Sequence, residues 1–177
     1  MLHPAASPGI SDVNGVGIFA VASLPRGTIV WRRCDNCVEL SRVDLTLYPD
    51  AVSRWYDEFG IGLDHGAVLV PCGGAHLFNH SCSSSAVCVN EEFGCLSRDV
   101  VAGEEITCNY LDFSFEKPWS FTCSCGAASC VSSISARGSD TPPPWMKTVE
   151  PDVFRSDIAR VLQPLGGGGR LLDLLLP

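Results

Sequence analysis

The stretch LFNHSCSSSAV, from Leu77 to Val87, places an asparagine, a histidine and a cysteine within four positions. Asn79, His80 and Cys82 are compatible with a catalytic pair, part of a metal site or a buried turn. A Cys–His nucleophilic pair needs side chains that meet in space, and residues two positions apart seldom do so. Two tasks therefore fit this turn, a ligand held by Asn79 and His80 and a metal bound by Cys82, and a buried turn remains the simplest alternative.

A second cysteine-rich stretch gives the strongest metal signal. CSCGAASC spaces Cys123, Cys125 and Cys130 as C-x-C-x4-C. Three thiolates supply three corners of a tetrahedral zinc site, and a structural zinc site needs a fourth ligand. That ligand has to come from elsewhere in the chain. Three unliganded thiols are the weaker alternative, because this polar, glycine-containing loop has little reason to fold alone.

Composition limits the class of protein. The chain has 177 residues, which suits one domain with an appendage, and it carries a net charge of −8. We find no apolar run long enough to span a membrane and no signal peptide, so we expect an intracellular protein of the nucleus or cytoplasm. In a reducing compartment its ten cysteines are expected to bind metal or to be buried. The acidic balance disfavours direct nucleic-acid binding and suits a basic protein partner.

The hydrophobic pattern predicts a mainly β domain with few helices. Strands are predicted within 13–40 and over 67–70, 87–96 and 106–110. Residues 44–59 have helical spacing, and Pro49 is expected in the first turn of a helix that ends at Gly60. After Cys130 the chain becomes rich in Ser, Gly and Pro over 132–144, which is typical of a linker. An amphipathic helix over 151–162 and a leucine-rich end over 171–176 are predicted beyond it.

The glycine pair in NGVGIFA, Asn14 to Ala20, is a weak signal by itself. It lacks a third glycine and precedes a strand, so a dinucleotide-binding loop is excluded. The order of this and three other motifs along the chain is more informative. The GxG stretch, NHSC, GEEITCNY and CxCx4C together resemble the SET-domain protein lysine methyltransferases over about Val13 to Cys130, and FTCSCG resembles their post-SET segment.

This resemblance implies a SET fold, in which small β-sheets surround a knot-like crossing, with a zinc-bound C-terminal lobe. The implied organisation is a SET domain over 13–112, a post-SET zinc-binding segment over 113–134, and a linker with a helical tail over 135–177. The implied roles fall on eleven residues. Those expected to bind S-adenosylmethionine are Gly15, Val16, Gly17, Asn79, His80 and Phe121; the zinc ligands are Cys82, Cys123, Cys125 and Cys130; and the catalytic residue is Tyr110.

The implied activity is S-adenosylmethionine-dependent protein lysine N-methylation. A lysine with a pKa of ~10.4 must lose its proton before it attacks the methyl group, and an apolar channel favours that loss by desolvation. Tyr110 then orients the amine, without an acidic general base. Histone tails fit as substrates; the alternatives are a non-histone substrate and an inactive interaction module.

Six positions, in four places along the chain, depart from the family pattern. His76 stands where the family often has arginine, Ser83–Ser85 replaces Asp-Pro-Asn, and Asn109 replaces aspartate. We expect the serines to loosen the crossing. Cys108 replaces an aromatic residue that limits the lysine pocket, so we expect room for di- or trimethyl-lysine.

The remaining cysteines carry weaker signals. Cys34-x-x-Cys37 has the spacing of a zinc knuckle, but only one such pair is present, so a second metal site is the less favoured interpretation. Cys72, Cys88 and Cys95 are interpreted as core thiols.

Overall fold

The computed structural model describes residues 1–63, 65–88, 92–113 and 119–136. The tail beyond residue 136, with its predicted helix and leucine-rich end, lies outside the described residues. The strands are β1 (Ala6–Ile10), β2 (Val16–Ala20), β3 (Ile29–Arg32), β4 (Glu39–Ser41), β5 (Ile61–Gly62), β6 (Ala67–Leu69), β7 (Ala86–Cys88), β8 (Phe93–Leu96), β9 (Glu105–Ile106), β10 (Trp119–Thr122) and β11 (Ser133–Ala136). The helices are α1 (Arg42–Leu45) and α2 (Asp50–Phe59), with 3-10 turns at Ala75–Leu77 and Tyr110–Asp112.

The described strands form small antiparallel sheets. Three sheets have three strands each, in the orders β1-β2-β9, β3-β8-β7 and β4-β6-β5, and β10 pairs with β11. The mainly β prediction is therefore confirmed. No helix of the described residues is long and apolar enough to cross a membrane.

Several predicted boundaries are wrong, each for a local reason. The helical spacing over 44–59 is divided between two helices, since Pro49 disfavours helical backbone at the preceding Tyr48. Pro49 is the N-cap of α2, one position before the first turn in which it was expected, and α2 ends at Gly60 as predicted. Helix α1 begins at a capping box in which Ser41 and Asp44 bond each other's backbone N–H groups. The sequence interpretation missed β1, because Pro8 and Gly9 interrupt its pattern; β1 is an edge strand, where proline is tolerated.

Two further corrections concern the ends of strands. The strand predicted over 106–110 is limited to Glu105–Ile106, and Tyr110 begins a 3-10 turn. The predicted linker begins too early, because Ser133–Ala136 forms β11 and pairs with Trp119–Thr122.

Two segments distant in sequence cross at the centre of the molecule. The backbone N–H of Cys108 donates to Asn79 O at 3.0 Å, and the N–H of Ser81 donates to Cys108 O at 3.0 Å. Ala86 N–H donates to Thr107 O at 2.9 Å beside them. We call residues 78–86 and 105–110 the crossing. It lies against the main hydrophobic cluster, in which Ile18, Leu96 and Ile106 are fully buried.

Candidate active site and metal centre

A cavity of about 650 Å³ opens beside the crossing. The turn between β1 and β2 lines it with Asn14, Gly15 and Val16, the crossing with Asn79 and Tyr110 among others. Strand β10 closes another side with Trp119 and Phe121. The volume lies in the range of about 300–1,000 Å³ that is usual for small-molecule sites.

The glycine turn is built for close approach of other groups. Gly15 has φ of +50°, in the left-handed region that disfavours side chains. Glycine is needed at position 17 for a different reason. A Cβ there would overlap the carboxylate of Glu105 and lie 3.0 Å from Asn79 Nδ2. The second glycine therefore makes room for protein groups.

Asn79 fixes this turn against the crossing. Its buried amide nitrogen lies 3.0 Å from Asn14 O, 3.2 Å from Val16 O, 3.1 Å from Ser11 Oγ and 2.8 Å from Glu105 Oε1. Two N–H donors are thus shared among four acceptors. Glu105 also accepts from the Ser11 hydroxyl, at 2.9 and 2.8 Å. The sequence interpretation missed Ser11, which no motif marks, and it treated Glu105 as structural, which agrees with this position.

His80 links the cavity wall to the cysteines. Its Nδ1 accepts the backbone N–H of Tyr110 at 3.1 Å, and its Nε2 lies 3.4 Å from Cys82 Sγ. Because an N–H group can only donate, the ring proton belongs on Nε2, directed at the sulfur. Burial lowers the pKa of His80, which favours this neutral form. Among the residues predicted to bind the cofactor, Gly17 and His80 do not line the described cavity, and His80 instead contacts Tyr110 and Phe121 by its ring edge.

Tyr110 is held at both its backbone and its hydroxyl. The hydroxyl donates to Phe78 O at 2.9 Å. Burial raises its pKa above the ordinary value, and the neighbouring Cys108 and Glu105 add to the effect. The phenol therefore stays protonated at neutral pH and acts as a donor. Beyond it, Trp119 and Phe121 stack with centroids 5.6 Å apart.

The departures from the family pattern have defined places. Cys108 is buried and lines the cavity. His76 also lines it, packed edge-on against Trp55 and Phe59 at 5.1 and 5.4 Å. Asn109 caps the 3-10 turn of Tyr110 by accepting from Leu111 N–H at 3.1 Å.

The run of three serines contributes a contact that the sequence interpretation did not anticipate. Ser85 is fully buried, and its hydroxyl accepts the backbone N–H of Thr107 at 3.2 Å. Its carbonyl accepts the N–H of Ser97 at 2.9 Å. Ser85 therefore ties together the crossing that the serines were expected to loosen.

The four predicted zinc ligands come together next to His80. The sulfurs of Cys82, Cys123, Cys125 and Cys130 all lie within 4.8 Å of one another, and Cys82 Sγ is 3.9 Å from Cys123 Sγ. Zinc–sulfur bonds of about 2.3 Å give a tetrahedron with edges of about 3.8 Å, so four thiolates in this arrangement fit a structural zinc ion.

The protonation of these thiols is uneven. Burial raises the pKa of Cys123 to about 12. Burial also acts on Cys125, but hydrogen bonds from the backbone of Cys82 and Ala127 and from neighbouring thiols outweigh it and lower its pKa to about 6. This lowered pKa favours the thiolate of Cys125, the form in which cysteine binds metal.

Comparison with known proteins identifies the family of this chain. The SET domain family matches residues 15–111, more than half of the chain. Among solved structures, the chain is similar to a candidate histone methyltransferase of Plasmodium falciparum, with 18% identity, a TM-score of 0.46, and coverage of 62% of this chain and 95% of that one. No match was found among curated protein sequences. The chain belongs to the SET-domain family, a family of methyltransferases, and its cysteine cluster is consistent with a post-SET segment.

Proposed function

We propose that this protein is an S-adenosylmethionine-dependent protein lysine N-methyltransferase. The observation that carries the proposal is the composition of one cavity. The backbone of the glycine turn, the stacked aromatic rings of β10 and the protonated hydroxyl of Tyr110 all belong to it. A cofactor and an amine could therefore meet in one cavity.

The residues present fit S-adenosylmethionine. Gly15 and Val16 offer backbone groups, Asn79 holds that backbone in place, and Phe121 offers an aromatic face for a purine. The bound cofactor supplies an electrophilic methyl group. His80 does not line the cavity and contributes indirectly, because its contacts position both Tyr110 and Phe121.

The protein's own groups suit a neutral amine. An apolar environment favours loss of the lysine proton, because it disfavours the charged ammonium. The Tyr110 hydroxyl stays protonated and donates a hydrogen bond to Phe78 O. It therefore orients nearby polar atoms without acting as a base. The two acids of the GEEITCNY stretch are already engaged: Glu105 by Ser11 and Asn79, and Glu104 by Arg98 and the N–H of Val101. Neither is placed to act as a general base.

Charge supports a basic protein substrate. The chain carries −8, and the exposed Glu58 is among the residues that line the cavity. A lysine-rich segment such as a histone tail suits this surface, and so does a basic non-histone segment. Electrostatic attraction of this kind raises the association rate more than it fixes the partner.

The function is tested by calorimetric titration of the zinc-loaded protein with S-adenosylmethionine, followed by a methyl-transfer assay on lysine-containing peptides. Binding should survive Tyr110→Phe, while turnover falls about 100-fold, the usual cost of removing one positioned donor. Asn79→Ala should abolish detectable binding, because the glycine turn loses its anchor. Tyr56→Phe is the matched control, since its hydroxyl also reaches a backbone carbonyl, Val38 O at 3.4 Å, away from the cavity.

An absence of binding to the folded, zinc-loaded wild type would contradict the proposal. It would favour an interaction module that retains zinc for folding. Circular dichroism of each variant separates loss of binding from loss of the fold.

The product is expected to reach di- or trimethyl-lysine. Cys108 is smaller than an aromatic residue and lines the cavity, so it leaves space beside the amine. Mass spectrometry of the methylated peptide should show higher methylation with the wild type and mainly monomethyl-lysine with Cys108→Phe. Wild-type product that stops at monomethyl-lysine would contradict this expectation.

A further inference from the structure

A second group of cysteines lies apart from the four-cysteine centre. Cys34 Sγ is 3.2 Å from Cys72 Sγ and 3.9 Å from Cys37 Sγ, and all three sulfurs lie within 4.8 Å of one another. Cys37 is buried and the other two are half-buried. The sequence revealed only the Cys34–Cys37 pair. Cys72 was interpreted as a core thiol; it does pack at the edge of a hydrophobic cluster, but its sulfur meets the pair.

The local backbone presents the three sulfurs to a common point. Cys34 and Cys37 lie on one tight turn between β3 and β4, closed by the Cys37 N–H donating to Cys34 O at 2.8 Å. Cys72 precedes Gly73 and Gly74, both in the left-handed region with φ of +68° and +87°. These glycines let the chain turn sharply just after the third thiol, which brings it beside the first turn.

The convergence of three sulfurs favours a metal site, with the Cys34–Cys37 distance of 3.9 Å close to the zinc geometry and the Cys34–Cys72 distance of 3.2 Å shorter than it. A zinc tetrahedron with Zn–S bonds of about 2.3 Å has edges of about 3.8 Å, and a C-x-x-C turn is a usual source of two such ligands. The four-cysteine centre shows the same scale, 3.9 Å between Cys82 and Cys123. A disulfide would use two of the sulfurs and leave the third without a role, whereas here three converge.

We propose that Cys34, Cys37 and Cys72 bind a second zinc ion through three thiolates, with a solvent molecule at the fourth position. Two of the three thiols are half-buried, so solvent can reach the ion. Three protein ligands with one open position give an ion that exchanges more readily than one held by four thiolates.

The location gives this ion a structural consequence. It would fasten the β3–β4 turn to the segment that begins at Cys72. Pro71, Ala75 and His76 of that region line the cavity, and His76 Nδ1 lies 3.3 Å from Pro71 O. The second zinc would therefore hold one wall of the cavity in place. The proposal stands independently of the reaction that the cavity supports.

The experiment counts zinc ions on the full chain. Protein reconstituted with Zn²⁺ under reductant and examined by native mass spectrometry should carry two ions. Cys72→Ser should carry one, and Cys82→Ser should carry one from the other centre. Cys88→Ser, a change at a half-buried cysteine outside both groups, should still carry two.

A single ion in the wild type that disappears in Cys82→Ser would overturn the proposal. A Cys34–Cys72 disulfide that persists under the same reductant, seen as a chain mass lower by two hydrogens, would also overturn it.

A second measurement needs no variant, in case Cys72→Ser fails to fold. Alkylation of the wild type by iodoacetamide should be at least tenfold slower at Cys34, Cys37 and Cys72 when zinc is bound. On stepwise addition of a chelator, these three should become reactive before Cys123, Cys125 and Cys130. Equal alkylation rates with and without zinc at the first three cysteines would contradict the second site.

Discussion

The crossing and the C-terminal lobe contribute to the same cavity but are stabilised differently. At the crossing, Asn79, His80 and Cys108 are buried, and backbone and side-chain hydrogen bonds join its two segments directly. In the lobe, residues 119–136, most side chains are exposed. Of residues 119–135, only Cys123 and Ile134 are buried.

The difference follows from the amount of apolar surface available. A pair of short strands such as β10 and β11 is at best marginally stable by itself. Thiolate–zinc bonds would supply the stability that burial does not, since metal binding to a structural site contributes directly to folding. One ligand, Cys82, belongs to the crossing and the other three belong to the lobe. A zinc ion held by these four thiolates would join the two regions, and the aromatic wall of the cavity would depend on it.

The largest expected effect is on the lobe. Removing zinc with a chelator, or replacing Cys125 by serine, should abolish hydrogen-exchange protection over 119–136 and leave the crossing protected. Affinity for S-adenosylmethionine should fall at least tenfold, because Trp119 and Phe121 lose their fixed positions. Hydrogen exchange read by mass spectrometry measures the first effect and calorimetry the second.

The control for this experiment is Ser133→Ala, an exposed change on β11 that removes no thiolate. It should leave protection and affinity unchanged. If protection in the lobe survived complete zinc removal, strand pairing alone would hold the lobe and the comparison would fail.

A smaller effect is expected within the crossing. Ser85→Ala leaves the backbone N–H of Thr107 without its buried acceptor, which typically costs about 1–3 kcal/mol. Urea unfolding of the zinc-loaded protein measures the free energy of unfolding. Ser83→Ala is the matched control in the same run of serines, because Ser83 is exposed and should change stability by less than about 0.5 kcal/mol. Equal stabilities of the two variants would show that Ser85 does not tie the crossing.

The sequence predicted the parts of the site that short motifs carry. The CxCx4C stretch called for a distant fourth thiolate, and the structure brings Cys82 to it. The partners of Asn79 were not predictable in the same way, because Ser11 lies 68 residues away and no local pattern links them. Cys72 illustrates the same limit, since it meets Cys34 across 38 residues. Local patterns reveal which residues are chemically capable, but contacts between them depend on how the sheets pair.

The smallest effect concerns Asp112, which ends the 3-10 turn that follows the crossing. Burial raises the pKa of its carboxyl to about 6, whereas an unfolded chain gives about 3.9. Between pH 4 and 6 the folded protein thus binds more protons than the unfolded chain, so stability falls as pH rises through this window and stays lower above it. Asp112→Asn should remove this loss and stabilise the protein at pH 7.5 by about 1 kcal/mol, a modest gain because solvent screens a partly exposed group.

Urea unfolding at pH 5, 6.5 and 7.5 tests this expectation. The difference between Asp112→Asn and the wild type should grow with pH and then level off, which separates it from zinc–thiolate titration common to both proteins. Ser83→Ala, an exposed change that removes no titratable group, should show no such trend. A difference that is constant across the three pH values would contradict the expectation. It would mean that the Asp112 carboxyl titrates alike in the folded and unfolded chain, so that burial does not raise its pKa.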